Sequence, residues 1–378
     1  MEYRQLGRSG LRVSVLGLGT MPFGAAEHGF FRKAGSIDVA GAKRMLDICL
    51  DTGVNFVDTG DVYAKGAGEE VLGQALRGRR DRFLVATKVR HSMDGHDVER
   101  VSGANDSGLS RHHIVAACEA SLQRLGVDHI DLYKMHDWDG QTPLEETLEA
   151  LDSLVRSGKV RYIGCSNFSG WHIMKSLCVS ALHGFQRYVS QQIYYSLQAR
   201  EAEYELVPIA VDQGVGIVVW SPLAGGLLSG KYRRDEPLPE GRHRNAWGEP
   251  PVRDVDQLYD IIDVLVEIAE ARGVPPAQIA LSYLLGKPGV ASLIIGARTE
   301  EQLVGNLKAT EVELSDDERA RLDEVSEPPL IYPYWHQRHI SDRWSRADEL
   351  LLAPRMKEYR RLLADPLETM TTTEKLPN

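Results

Sequence analysis

Short apolar runs rich in β-branched and aromatic residues alternate along the chain with longer amphipathic stretches. Eight runs have the length and composition of buried strands: Val15–Leu18, Phe56–Asp58, Phe83–Thr87, Ile130–Lys134, Tyr162–Gly164, Tyr188–Gln192, Ile217–Trp220 and Ser292–Ile295. Helical periodicity predicts helices in the stretches that follow or separate them: Ala40–Asp51, Glu69–Leu76, His113–Leu125, Leu144–Ser157, Trp171–Leu182, Glu203–Asp212, Asp256–Leu285 and Glu300–Leu307. Strands that alternate with helices in this way indicate parallel βαβ units.

Eight strand–helix pairs are typical of a closed (β/α)8 TIM barrel. Two further short strand patterns, Tyr3–Leu6 and Leu11–Ser14, predict an N-terminal β-hairpin. A doubly wound open sheet is the alternative, but the segment Gly17–Pro22 after the first strand does not complete a GxGxxG fingerprint. We therefore predict an α/β protein with a TIM barrel.

Residues 1–327 are predicted to form the barrel, and residues 328–378 a C-terminal tail whose end frays. Two long segments, Val89–Arg111 and Gly225–Val255, leave the carboxyl ends of strands and would overhang that end of the barrel. The tail carries the aromatic cluster Tyr332–Trp335, which could fold back as a lid. Long loops at the carboxyl-terminal end of the barrel are therefore expected to shape its binding site.

The composition narrows the class of partner. The 378-residue chain has a formal net charge of −10, so it lacks the basic surplus that sequence-independent nucleic-acid binding needs. It contains no uninterrupted apolar stretch of about 18 residues that could span a membrane. Its start, Met1–Arg4, lacks the apolar core of a signal peptide, and the default expectation is a cytoplasmic protein with a small-molecule substrate. The oligomeric state is left open.

No metal site is predicted. The four cysteines are scattered without CxxC or zinc-ligand spacing: Cys49, Cys118, Cys165 and Cys178. The pairs His112–His113 and His91/His96 lie in or beside a polar loop, and we interpret them as solvated loop histidines. We expect reduced and mostly buried thiols.

Four ionisable residues of different chemical types fall at neighbouring strand ends. Asp58, Lys88 and His136 close the second, third and fourth predicted strands, and Tyr63 follows Asp58 by five positions. TIM barrels gather their catalytic groups at this end of the sheet. We therefore expect the four side chains to converge.

Together these groups could protonate and orient a carbonyl oxygen. A phenol titrates near 10 in water, and a neighbouring ammonium such as Lys88 would lower the pKa of Tyr63. Asp58 would keep Lys88 charged, and His136 could hydrogen-bond an oxygen that is gaining negative charge. Such a site has a proton donor but no source of hydride.

Several segments resemble the aldo-keto reductase superfamily, most closely its bacterial aryl-alcohol dehydrogenase-like and potassium-channel β-subunit-like branch. The resemblance runs in order from about Tyr3 to Tyr334. Its clearest motifs are Asn55–Tyr63, Thr87–Lys88, Asp131–His136, Gly164–Phe168, Trp220–Leu227 and Ile295–Leu303.

This resemblance implies an NADP(H)-dependent aldehyde or ketone reductase with Tyr63 as proton donor and Asp58, Lys88 and His136 completing a tetrad. It also implies the residues that bind the cofactor, Asp58 among them: Gly19, Thr20 and Met21 near the nicotinamide ribose; Ser166, Asn167 and Gln192 at the carboxamide; Trp220 on the nicotinamide ring; Ser221, Pro222, Leu223, Ala224, Gly225 and Lys231 along the pyrophosphate; and Gly296, Arg298, Gln302 and Asn306 at the adenosine end. Arg298 favours NADP(H) over NAD(H) because a guanidinium can bind the 2′-phosphate.

Two positions depart from the family pattern. Gly305 stands where relatives often have a glutamate, and the segment Gln191–Tyr195 differs from the usual Leu-Gln-Pro-x-Tyr. The expected substrate is an apolar or aromatic aldehyde or ketone, with a sugar or a polyketide intermediate as the alternative. Candidate substrate contacts are aromatic: Phe23, Trp138, Tyr194, Trp247, Tyr334 and Trp335.

Two other functions are considered. A barrel hydrolase would need paired carboxylates flanking its substrate, for which Asp58 and Asp61 are the candidates. A cofactor-binding partner subunit with little turnover is the second alternative, suggested by the channel-subunit branch of the superfamily. A lysine and a tyrosine close to these carboxylates fit proton donation better than hydrolysis. The complete set of Asp58, Tyr63, Lys88 and His136 favours catalysis over the partner-subunit role.

Overall fold

The computed structural model describes residues 1–24, 35–93, 103–237 and 250–352. Its strands are β1 (Tyr3–Gln5), β2 (Arg12–Ser14), β3 (Leu16–Gly19), β4 (Phe56–Asp58), β5 (Leu84–Val89), β6 (Ile130–Met135), β7 (Val160–Ser166), β8 (Ser190–Tyr194), β9 (Gly216–Trp220) and β10 (Val290–Gly296). Its helices are α1 (Val39–Thr52), α2 (Ala67–Leu76), α3 (Arg111–Leu125), α4 (Leu144–Arg156), α5 (Gly170–His183), α6 (Leu206–Gln213), α7 (Val255–Arg272), α8 (Pro276–Leu285), α9 (Glu300–Leu307), α10 (Asp316–Val325), α11 (Tyr334–Ile340) and α12 (Arg346–Leu352).

Strands β3 to β10 form a closed parallel barrel in which β10 pairs with β3. The predicted TIM barrel is confirmed, and each predicted strand agrees with an observed one to within two residues at either end. The predicted helical segment Asp256–Leu285 is divided into two helices, α7 and α8, at a boundary that the prediction did not mark. Gly273 ends α7 in a left-handed conformation with φ 66°, and Pro275 precedes α8. Neither residue continues a helix readily.

The predicted N-terminal hairpin is also confirmed. Strands β1 and β2 pair antiparallel, with Tyr3 opposite Ser14. Leu6 and Val13 are fully buried in a cluster with side chains from barrel strands, including Phe56 and Leu132. The hairpin therefore covers apolar side chains of the barrel and leaves the carboxyl-terminal end of the strands open for a binding site.

Apolar faces of the helices pack on the outside of the barrel. One buried cluster joins α1, α2, α7 and α8 to the strands, and a second joins α3, α4 and α5 to them. Both clusters exclude water from the strand faces that point away from the barrel axis. Across the described ranges, every helix is too short or too polar to serve as a membrane span.

The tail packs against the side of the barrel. Helix α12 contacts α6, and the Tyr334 ring stacks on Tyr204 with centroids 5.5 Å apart. The Tyr334 hydroxyl also donates a hydrogen bond of 3.4 Å to Glu205. Trp335 is 41% exposed. Within the described part of the tail, Tyr334 is thus held beside the start of α6.

A buried ion pair ties the loop after β8 to helix α10. Arg200 forms two hydrogen bonds to the carboxylate of Glu203, at 2.8 and 2.9 Å. Its remaining donors reach the Asp323 carbonyl at 3.0 Å and Ser326 Oγ at 2.9 Å. Burial opposes the ionisation of Glu203, yet Arg200 and Lys287 lower its pKa to about 2. The charged pair therefore anchors α10 to the barrel.

We predict that Glu203→Gln lowers the free energy of unfolding by about 3–5 kcal/mol, because it removes the bidentate carboxylate from the buried Arg200 charge and leaves it only the Asp323 carboxylate at 3.3 Å. Chemical denaturation followed by circular dichroism would measure the change.

Glu201→Gln is the matched control, because Glu201 pairs with Arg253 at 2.6 Å on the exposed surface. Its expected effect is below about 1 kcal/mol. Equal losses in the two variants would contradict the role given to the Arg200–Glu203 pair.

Candidate active site

A cavity of about 780 Å³ opens where the carboxyl ends of the barrel strands meet. Each barrel strand, or the residue that follows it, contributes to the lining: Gly19, Asp58, Lys88, His136, Ser166, Gln192, Trp220 and Ile294–Gly296. Tyr63 lines it as well, so all four residues of the predicted tetrad face the same cavity.

The carboxylate of Asp58, the last residue of β4, is buried in this site. Its side chain is 3% exposed. Oδ2 accepts hydrogen bonds from Lys88 Nζ at 2.7 Å and from Gln192 Nε2 at 3.0 Å, and Oδ1 pairs with Lys134. Burial raises the pKa of Asp58, but Lys134 and Lys88 more than offset this and keep it below its ordinary value. Asp58 is therefore ionised at neutral pH.

Lys88 lies within β5 and uses its ammonium protons on three acceptors. These are Asp58 Oδ2, the Thr59 carbonyl at 2.6 Å and the Tyr63 hydroxyl oxygen at 3.1 Å. Burial lowers the pKa of Lys88, whereas Asp58 and Tyr63 raise it, and the net direction is upward. The ammonium thus keeps its charge and holds the phenol oxygen.

Tyr63 begins a tight turn in which Ala64 and Lys65 have φ values of 49° and 55°. Such left-handed conformations are unfavourable for non-glycine residues and persist where the surroundings impose them. Burial raises the pKa of Tyr63, and the Lys88 charge lowers it only in part. Lys88 has the expected effect on the phenol, but burial outweighs it, so Tyr63 is protonated at neutral pH.

His136 follows β6 and lies edge-on to Tyr63, with ring centroids 5.9 Å apart. Its backbone N–H donates to the Val89 carbonyl at 2.9 Å, which fixes it beside β5. The His91 ring also lies edge-on to His136, with ring centroids 4.8 Å apart. Its Nε2 is 2.6 Å from Asp137 Oδ2. Two imidazoles and a phenol therefore surround one end of the cavity.

The interpretation of the loop histidines as solvated was wrong for two of them. His91 is 7% exposed because Asp137 and His136 contact it, and His113 is 8% exposed in the first turn of α3. His96 lies outside the described residues. In the ranges that the structure covers, we find no group of three or more His, Cys, Asp or Glu side chains arranged to hold a metal ion.

Lys134 is a site residue that sequence reasoning missed. It is fully buried, pairs with Asp58 and donates to Gln192 Oε1 at 2.9 Å. Burial lowers the pKa of Lys134 to about 7; Asp58 opposes this shift and Lys88 adds to it. The sequence does contain a signal for Lys134. It precedes His136 by two positions, and because side chains alternate between the two faces of a strand, both residues are expected on the same face.

Asn167 connects three parts of the cavity wall. Its backbone is left-handed, with φ 55°. Its Nδ2 donates to Asp137 Oδ1 at 2.8 Å and to the His136 carbonyl at 3.1 Å, while Oδ1 accepts from Trp220 Nε1 at 3.0 Å. The Asn167 amide therefore holds the Trp220 indole, and Gln192 is held similarly by Asp58 and Lys134.

The loop after β9 folds so that its backbone curves around the cavity. Ser221, Ala224 and Gly225 have positive φ values of 51°, 50° and 65°. Ser221 Oγ accepts a hydrogen bond of 2.9 Å from the Gly225 N–H. Successive backbone turns of opposite hand form concavities that suit anions. Lys231 adds a cation to the same wall.

Another part of the cavity wall with a cationic side chain follows β10. Arg298 lines the cavity, and its backbone N–H donates to Gln302 Oε1 at 2.9 Å. Thr299 caps the N-terminus of α9. A Cβ added at Gly296 or Gly305 would meet no atom within 4 Å, so the space beside both glycines is open.

Every residue predicted to bind the cofactor lines this cavity except Ala224, which is fully buried. Other described lining residues were not predicted: Pro22, His91, Asp137, Gly226, Ser229, Pro250, Pro275, Ala277, Gln278, Ile294, Ile295, Ala297 and Gly305. Most of them are small or apolar residues, and such residue types do not by themselves indicate a binding site.

The structure does not bring the predicted substrate aromatics to the same cavity. Phe23 is fully buried, Trp138 stacks on His172 at 3.7 Å, and Tyr194 lies behind Trp220 with centroids 5.0 Å apart. Neither Tyr334 nor Trp335 is among the described lining residues. Trp247 lies outside the described residues.

Asp61 bears on the hydrolase alternative. It is 1% exposed and is absent from the described lining of the cavity. Burial, reinforced by Glu69, raises its pKa well above the ordinary value. Asp58 and Asp61 therefore do not form a pair of carboxylates facing a common substrate.

Comparison with known proteins agrees with the geometry. The profile described as "Aldo/keto reductase family" matches residues 15–327. The chain is 40% identical over 338 residues to "Uncharacterized oxidoreductase YrpG" of Bacillus subtilis, covering 87% of this chain and 97% of that protein. It is 35% identical to "Probable voltage-gated potassium channel subunit beta" of Arabidopsis thaliana, covering 82% and 92%.

A named reductase is related at similar distance. "Versiconal hemiacetal acetate reductase" of Aspergillus parasiticus is 32% identical over 346 residues, covering 88% of this chain and 99% of that protein. The matches span the barrel and all of the cavity-lining strands. The chain therefore belongs to the aldo/keto reductase family of oxidoreductases.

Proposed function

We propose that this protein reduces an aldehyde or ketone to an alcohol with NADPH, and that Tyr63 donates the proton. The observation that carries the proposal is the hydrogen-bonded series from Asp58 through Lys88 to the Tyr63 hydroxyl, at 2.7 and 3.1 Å, on the wall of the large cavity. A charged lysine cannot accept a hydrogen bond, so the Tyr63 oxygen is the acceptor in this contact.

The arrangement suits proton transfer to a carbonyl oxygen. Tyr63 is protonated at neutral pH because burial raises its pKa. As the carbonyl oxygen gains negative charge it becomes more basic than a phenolate, so the proton moves from Tyr63 to the substrate. Lys88, 3.1 Å away, then stabilises the phenolate that forms. His136 lines the same end of the cavity as Tyr63 and can donate a second hydrogen bond to the carbonyl oxygen of the substrate.

The carbonyl carbon must gain a hydride as its oxygen gains the proton. NADPH, when bound, supplies that hydride, and no protein side chain can replace it in this role. The cavity fits such a cofactor, because an elongated dinucleotide needs a polar wall with cationic groups for its phosphates. Lys231, Arg298 and the curved backbone at Ser221–Gly225 meet this need.

We assign the middle of the cavity to the nicotinamide and the β10 end to the adenosine. Ser166, Asn167, Gln192 and Trp220 supply an aromatic face and amide groups at the middle. The open space beside Gly296 and Gly305 has room for a base, and α9 presents its N-terminus to an anion. Arg298 at this end supports the preference for NADP(H).

The competing proposal is a cofactor-binding partner subunit with little turnover, as the name of the Arabidopsis relative suggests. The test is to mix the purified protein with NADPH and 4-nitrobenzaldehyde and to follow absorbance at the NADPH band. We expect NADPH loss that is proportional to the amount of protein. NADPH binding without any loss would favour the partner subunit.

We predict that Tyr63→Phe reduces kcat by at least about 100-fold, because the ring remains and the transferable proton is lost. The dissociation constant of NADPH, measured by fluorescence, should change less than about twofold.

Tyr259→Phe is the matched control, since Tyr259 is half-buried on α7 away from the described lining. It should keep the wild-type rate. Full activity in the Tyr63 variant would remove Tyr63 from the mechanism.

We also predict that Arg298→Ala weakens NADPH binding by about 10- to 100-fold and NADH binding by less than about threefold, because only NADPH carries the 2′-phosphate. Dissociation constants for both cofactors provide the measurement.

Arg321→Ala, which removes an Arg321–Glu267 surface pair at 2.5 Å, controls for the loss of a positive charge. It should leave both constants unchanged. Equal weakening of NADPH and NADH in the Arg298 variant would be incompatible with a contact to the 2′-phosphate.

A further inference from the structure

A second buried lysine shares the carboxylate that holds Lys88. Lys134 approaches Asp58 Oδ1, whereas Lys88 binds Oδ2 at 2.7 Å. The Lys134 ammonium also donates to Gln192 Oε1 at 2.9 Å, and Gln192 is part of the cavity wall. Lys134 itself is fully buried and is not among the described lining residues. It therefore acts on the cavity from behind Gln192.

This cluster carries excess positive charge when Lys134 is protonated. One carboxylate, Asp58, faces two ammonium groups, Lys88 and Lys134. The excess lies in a water-excluded region, where a charge acts over a longer distance than it does in bulk water. Any ligand group bound against Gln192 therefore experiences a positive potential.

We propose that Lys134 makes this site prefer the reduced nicotinamide cofactor over the oxidised one. The inference rests on the proposed function, which assigns Gln192 to the nicotinamide carboxamide. The oxidised nicotinamide ring is a cation and the reduced ring is neutral, so a positive charge behind Gln192 repels the oxidised form alone. The phosphates and the adenosine are common to both forms and do not contribute to the difference.

The preference depends on pH through Lys134. The titratable groups that face Lys134 are Asp58 on β4 and Lys88 on β5; Gln192 on β8 does not titrate. Asp58 has a lowered pKa and stays negative, and Lys88 has a raised pKa and stays positive. The pKa of Lys134 is lowered to about 7, so its charge is present below pH 7 and is lost above it. The preference for NADPH should therefore weaken as pH rises through 7.

The experiment measures the dissociation constants of NADP⁺ and NADPH by calorimetry at pH 6 and pH 8.5, without substrate. The wild-type ratio of the NADP⁺ constant to the NADPH constant should fall by about tenfold between these pH values. In Lys134→Met, which keeps an unbranched side chain and removes the charge, the ratio should be low and independent of pH. Ionisation of the 2′-phosphate occurs in both cofactors and cancels in the ratio.

Lys231→Met is the matched control, because Lys231 lies on the pyrophosphate wall proposed above. It should weaken both cofactors by the same factor and leave the ratio at its wild-type value. A purely structural loss at Lys134 would likewise affect both forms equally. If Lys134→Met does not fold, Lys134→Gln and the pH dependence of the wild-type ratio provide the same test.

The outcomes separate the two proposals. Binding of both cofactors with the same ratio in wild type and Lys134→Met at pH 6 would overturn this inference alone. Failure of the wild type to bind either cofactor would overturn the proposed function, and the inference with it. A ratio that falls with pH in the wild type and is flat in the variant would establish the role of Lys134.

Discussion

The pairing of the Asp58 carboxylate with two buried lysines is the interaction on which the rest of the site depends. A buried carboxylate is stable only when it is paired and hydrogen-bonded. In this protein Lys88, Lys134 and Gln192 satisfy it from three other strands. Barrel closure sets the spacing of those strands, so the fold itself determines where the Lys88 ammonium lies. The position of the Tyr63 phenol follows from that ammonium.

The middle of the cavity and the loops that flank it carry different kinds of charged group. Its middle holds a buried charge cluster and hydrogen-bonded amides, in which Asn167 orients Trp220 at 3.0 Å. Its cationic groups, Lys231 and Arg298, lie on the flanking loops and supply charge for the phosphates of a dinucleotide. Rigid strands therefore hold the groups proposed to take part in proton transfer, while the loops after β9 and β10 are proposed to hold the cofactor.

Hydrophobic periodicity was sufficient to predict the barrel, because each buried strand is a short apolar run bounded by turn residues. The division between α7 and α8 was missed although Gly273 and Pro275 mark it. Lys134 was missed although its spacing from His136 assigns it to the side of the strand that faces the site; its pairing with Asp58 depends on a contact distant in sequence. The packing of Tyr334 on Tyr204 likewise depends on a contact distant in sequence.

The most direct test of the proposed reaction is isotope transfer. The protein would be supplied with NADPH carrying deuterium at nicotinamide C4, on the transferred face, and with 4-nitrobenzaldehyde in ordinary water. Mass spectrometry of the product should find one deuterium on the carbinol carbon for each NADPH consumed. An alcohol without deuterium, or NADPH oxidation without alcohol, would contradict hydride transfer to the carbonyl carbon in this cavity.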